Sequence, residues 1–81
     1  MNRRDAIIQD VLAELRRATR LYPAWPQDQI HAAAIVAEES GELVRAALNE
    51  AYHGTFRCDT DREAVQTAAM AIRFLENRRG A

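Results

Sequence analysis

The sequence predicts an all-α fold: three main helices in an oligomeric helical bundle whose thin core a second protomer completes. Three observations carry that expectation. Apolar residues recur at three- and four-residue spacing along most of the chain. Two breaks, YPAWPQD (Tyr22 to Asp28) and HGTFRCDTD (His53 to Asp61), cut the pattern into three. Hydrophobic residues make up 48% of the 81 residues, but much of that is Ala, and aromatics are only 6%. A core with so few large anchors (Trp25, Tyr22, Tyr52, Phe56, Phe74) is thin unless a partner covers it. The length allows one domain, residues 1–81.

The spacing predicts a first helix from about Arg3 to about Leu21. Ile7, Ile8, Val11, Leu12, Leu15 and Ala18 form its stripe, with Arg16, Arg17 and Arg20 off it. Asn2 suits its N-cap, and the arginines suit the negative end of the helix dipole. Two prolines in YPAWPQD stop the helix. Trp25 in that break reads either as the wall of a pocket or as a plug at the bundle end.

The second helix is expected from Pro26–Asp28 to about His53, with Pro26 in the first turn and Asp28 at the positive dipole end. Its apolar stripe is broad, as for a helix with several neighbours, and contains Gly41. Gly54 suits a C-cap. Thr60-Asp61-Arg62-Glu63 reads as a capping box that opens a third helix running to about Asn77. Val65, Ala68, Ala69, Met70, Ile72, Phe74 and Leu75 are expected to face inward, with the NRRGA tail frayed.

The net charge of −1 gives no global basic field, which argues against a nucleic-acid binder. All 11 basic residues are Arg. No apolar run spans a bilayer and the charged start is unlike a signal peptide, so no membrane role is expected. With Cys58 alone, no intrachain disulfide forms, and a reducing, cytoplasmic setting fits. His53 and Cys58 lack zinc-ligand spacing, and no Gly-rich phosphate loop or Ser-His-Asp set is evident.

AEESGEL (Ala37 to Leu43) crowds three carboxylates into an otherwise apolar stretch. Glu39 and Glu42 are i,i+3 neighbours, and Glu38 and Glu42 are i,i+4 neighbours. Only Glu42 has a basic neighbour at such spacing, Arg45. Like charges at these distances repel, and a bound hard cation such as Mg²⁺ turns the repulsion into ligation. The alternative is a solvated acidic face. Glu63 and Gln66 form a second i,i+3 pair, which faces the first if the two helices pack antiparallel. Glu63 as a capping residue and Gln66 as a surface polar residue are the competing readings.

EESGE, then Leu43 to Arg62, then EAVQ, resembles the EExxE…ExxD signature of MazG-like all-α nucleotide pyrophosphohydrolases. The wider text, WPQDQIHAAAIVAEESGELVRAAL with REAVQTAAMAIRFLE, is similar to a small phage and bacterial MazG-like subgroup, over roughly Tyr22 to Glu76. The resemblance implies hydrolysis of (deoxy)nucleoside triphosphates to monophosphate and pyrophosphate, of housecleaning type. It implies Mg²⁺, with Mn²⁺ as the substitute ion, and a MazG-like homodimer or homotetramer in which a second protomer completes a four-helix bundle. It places Glu39, Glu42 and Glu63 at metal-ligand positions, with Gln66 where the motif has Asp, and Glu38 at the motif's first Glu. A neutral amide is a weaker ligand than a carboxylate.

On that basis Glu38 is the expected residue to orient or deprotonate the water. Arg45 and Arg73 are expected at phosphates, or else as a partner for Glu42 and a solvated third-helix residue. Trp25 is expected to stack on a base and His31 to hydrogen-bond it, His31 being structural in the other reading. The alternative function is a non-catalytic helical dimerisation or regulatory module on a degenerate scaffold, which Gln66 favours.

Overall fold

A computed structural model describes residues 1–79. Helix α1 spans Arg3–Leu21, α2 spans Gln29–His53 and α3 spans Arg57–Arg79, with no strand among the described residues. Asn2 caps α1, its side chain accepting from the Asp5 amide at 2.9 Å. Asp28 caps α2, its Oδ1 accepting from the Ile30 amide at 2.8 Å and the His31 amide at 3.4 Å. Pro26 therefore lies in the connection and not in the first turn of α2, because the Asp28 cap fixes the start beyond it.

Gly54 closes α2 in the left-handed region, φ 67° and ψ 27°, and the Thr55 amide returns to the Asn49 carbonyl. That reversal is so short that α3 begins at Arg57, before the expected capping box. Thr60 to Glu63 are interior helix residues, and the Glu63 carbonyl accepts from Thr67 Oγ1 at 2.8 Å. Glu63 is thus free of a capping duty. The helix continues past Asn77 to Arg79, and Gly80 and Ala81 of the expected frayed tail lie outside the described residues.

Helix α3 is the shared element: it packs on both α1 and α2, which make no direct backbone approach within 8 Å of each other. Val11, Leu15, Ala18, Ala69 and Met70 form the core, with Trp25, Ile35, Val36, Val65 and Ile72 packed against it. The result is a slab of 42 × 32 × 19 Å with a radius of gyration of 13.7 Å. A compact chain of this length has a radius near ~12 Å. Leu75 points outward, and of the expected anchors Tyr22, Tyr52 and Phe56 are exposed, while Trp25 and Phe74 are half-buried.

Candidate metal centre

Ile35 and Val36 press α2 against the core, and Glu39 follows one turn later on the same face. Val65 and Ile72 do the same for α3, with Glu63 close by on the side that faces α2. The packing brings carboxylate oxygens of Glu39, Glu42 and Glu63 all within 4.8 Å of one another. Glu39 and Glu63 are half-buried and Glu42 is exposed.

Two oxygens of this triad, Glu39 Oε2 and Glu63 Oε2, are buried without a hydrogen-bond partner, as is Thr60 Oγ1 one turn before Glu63. Orphaned buried acceptors are costly, so they call for a cation or a proton. Burial pushes the Glu39 carboxyl above its ordinary range, and the charges of Glu42 and Glu63 add to it, followed by those of Glu14 and Glu38. Glu63 is also raised, first by burial, then by the charge and close approach of the Glu42 carboxyl; Arg62 and Arg45 oppose the shift. Three oxygen donors at this spacing suit a hard divalent ion and lack the soft ligands of a zinc site.

A cavity of about 270 Å³ adjoins the triad, lined by Glu14, Arg17, Trp25, Glu39, Gln66 and Arg73 among others. Glu39 belongs to both the cavity and the triad. Gln66, half-buried, therefore faces the cavity beside Glu39 and not bulk solvent. Trp25 walls the cavity and also packs on the core, so the pocket-wall and plug readings describe the same side chain.

Arg73 departs from the reading of a solvated third-helix residue. It is 5% exposed, so it is no solvated helix residue. Its guanidinium stacks over Trp25 and donates to the Tyr22 carbonyl and, at 3.3 Å, to the Ala24 carbonyl. Those donors hold the connection between α1 and α2, although the side chain also borders the cavity. His31 is exposed and shares only a shallow depression with Trp25. Arg45 and Glu38 are exposed, outside the triad and the cavity lining, and form no ion pair among the described residues.

Glu14 and Arg17 of α1 were not expected at the site. Arg17 donates to Glu14 through Nε at 2.9 Å and Nη2 at 2.8 Å, and both side chains line the cavity. The signal was present in the spacing: Glu14 lies three residues after Val11 and four before Ala18, which puts it on the buried stripe. Compared with known families, characterised proteins and solved structures, the chain has no match.

Proposed function

We propose that this chain is a Mg²⁺-dependent nucleoside triphosphate pyrophosphohydrolase that releases pyrophosphate and a (deoxy)nucleoside monophosphate. One observation carries the reading. Helices α2 and α3 bring three carboxylates together and leave two of their oxygens buried and unpartnered. That donor set fits Mg²⁺, and Mn²⁺ as a substitute. The resemblance of EESGE…EAVQ to the MazG-like signature supplies the reaction class.

Glu39, Glu42 and Glu63 hold the ion. When bound, such an ion neutralises triphosphate charge and lowers the pKa of a coordinated water. Glu39 borders both triad and cavity, so a ligand seated against Trp25 extends its charged end toward the triad. Gln66 offers an amide to that ligand or to the ion's shell. Arg17 is the half-exposed cation at the cavity and can exchange Glu14 for a phosphate. The working unit is a homodimer or homotetramer, in which the exposed apolar residues of α1 and α2 are covered.

The test is direct. Each NTP and dNTP is incubated with the protein and Mg²⁺, and pyrophosphate is assayed. Turnover that disappears in Glu39→Ala and Glu42→Ala supports the enzyme. The second reading, a non-catalytic helical module, rests on Gln66 standing in place of an Asp. Absence of turnover with every nucleotide, together with no Mg²⁺-dependent rise in melting temperature, favours it.

A further inference from the structure

Helix α2 has two apolar stripes, and the fold uses one. The inner stripe, through Ala32, Ile35, Val36, Leu43 and Ala46, is buried or half-buried. On the opposite side Ile30, Ala34, Ala37, Gly41, Val44 and Leu48 repeat at alternating four- and three-residue steps, and all are exposed. Ile30 is 80% exposed, Val44 57% and Leu48 50%. A long, unpartnered apolar seam of this kind marks a contact surface.

We propose that this outer stripe joins two copies of the chain, their α2 helices crossing antiparallel at Gly41. Gly41 sits midway between Gln29 and His53, the ends of α2, so a two-fold axis through it overlays the whole helix on its partner. Next to Gly41 the stripe is small on one side, Ala34 and Ala37, and larger on the other, Val44 and Leu48, while the outlying Ile30 falls opposite the partner's Tyr52 in an antiparallel pair, both being exposed. Antiparallel pairing lays each larger half on a smaller one, whereas parallel pairing opposes Leu48 to itself. Gly41 lets the backbones approach at the crossing, where a Cβ would meet nothing within 4 Å in the single chain.

Charge selects the same orientation. Glu38 and Arg45 each follow a stripe residue, Ala37 and Val44, and so lie on one edge of the seam. Neither has an ion-pair partner among the described residues. Antiparallel crossing sets Glu38 beside the partner's Arg45, twice by symmetry; parallel crossing puts the two charged edges on opposite sides of the seam, where neither charge meets a partner. The two-fold also brings both metal triads onto one assembly, on the far sides of the paired α2 helices. Neither the triad's occupancy nor any turnover enters this inference.

Sedimentation of the full chain over a range of concentrations tests it. The wild type is expected to dimerise. Gly41→Leu is expected to raise the dimer dissociation constant about tenfold or more, because the added side chain collides with its own copy. The same change leaves the monomer helical by circular dichroism, since the site is open and Leu favours helix over Gly. Glu38→Arg and Arg45→Glu are each expected to weaken the dimer several-fold, and the double exchange to restore it. In Gly41→Cys on a Cys58→Ser background, oxidation is expected to link two chains through residue 41. A monomer at all concentrations, a Gly41→Leu dimer as tight as wild type, or a double exchange no better than the singles overturns the proposal. Should Gly41→Leu fail to fold, the charge exchange and the cross-link decide.

Discussion

The Arg73 guanidinium carbon lies 4.9 Å from the centroid of the Trp25 ring, and the same group donates to the carbonyls of Tyr22 and Ala24. No carboxylate neutralises this buried cation among the described residues. Its charge is satisfied by an aromatic face and by backbone oxygens of the α1–α2 connection. Arg73 thereby sets where Trp25, and with it one wall of the cavity beside Glu39, stands.

Replacing Arg73 by Met keeps an apolar stem and removes every donor. The variant is expected to lose about 2 kcal/mol of stability, the scale of hydrogen bonds to a charged group. Arg73→Lys keeps the charge but not the planar fork, and is expected to recover only part of the loss. Trp25 is the single tryptophan, so its emission reports the connection directly. A red shift and faster quenching by acrylamide are expected in Arg73→Met, with thermal melts giving the stability. Unchanged emission would show that Trp25 is held by the core alone.

The helices and their caps were legible because they depend on neighbours in sequence. The α1 stripe and the caps at Asn2 and Gly54 each act within a turn or two of their own position, whereas Asp28, expected only at the positive end of the dipole, is itself the cap of α2. The start of α3 was misread because Thr60-Asp61-Arg62-Glu63 fits a capping box locally, while the tight Gly54 reversal leaves room for the helix to begin at Arg57. The facing of Glu63 toward Glu39 and Glu42 followed from an antiparallel pair. The spacing put Glu14 on the buried stripe of α1, but its nearness to Glu39 and the burial of Arg73 did not follow: each depends on where α1 and the connection fold back over α3.

The raised carboxyls make metal-free stability depend on pH. Glu39 and Glu63 hold their protons more tightly in the folded chain than at the ordinary value of 4.5. Between 4.5 and those raised values the folded state binds more protons than the unfolded state, so stability falls as pH rises through that window. The stabilising contribution of the protonated forms is complete below 4.5 and lost above the folded values. Melts in chelator are expected to show this fall, and Glu39→Gln to flatten it. A profile identical in wild type and Glu39→Gln would remove the triad as its source.

Mg²⁺ should reverse that loss. At neutral pH, added Mg²⁺ is expected to raise the melting temperature, and chelator to undo the rise. Glu63→Gln removes one charge and one ligand with little change of shape. Without metal it is expected to be as stable as the wild type or more so, since repulsion falls; with Mg²⁺ its rise in melting temperature is expected to shrink or vanish. Mn²⁺ should act as Mg²⁺ does. A Glu63→Gln variant that responds fully to Mg²⁺ would place the ion elsewhere.

Glu14 and Arg17 provide a test whose two arms carry opposite signs. Glu14 raises the Glu39 carboxyl from across the cavity, and Arg17 masks part of the Glu14 charge. Glu14→Gln withdraws a negative charge near the triad, so Mg²⁺ is expected to bind about twofold more weakly, the scale of a screened interaction at that remove. Arg17→Ala unmasks Glu14, so Mg²⁺ is expected to bind more tightly by a similar factor. Both changes break the same i,i+3 pair, a contact of small weight in stability because Arg17 is open to solvent. Stability therefore moves the same way in both variants, while metal affinity moves in opposite directions. Mg²⁺ titrations followed by melting temperature separate the two, and raising the ionic strength should bring both variants back toward the wild-type midpoint. Affinity shifts of equal sign would mean that α1 acts on the triad through packing and not through charge.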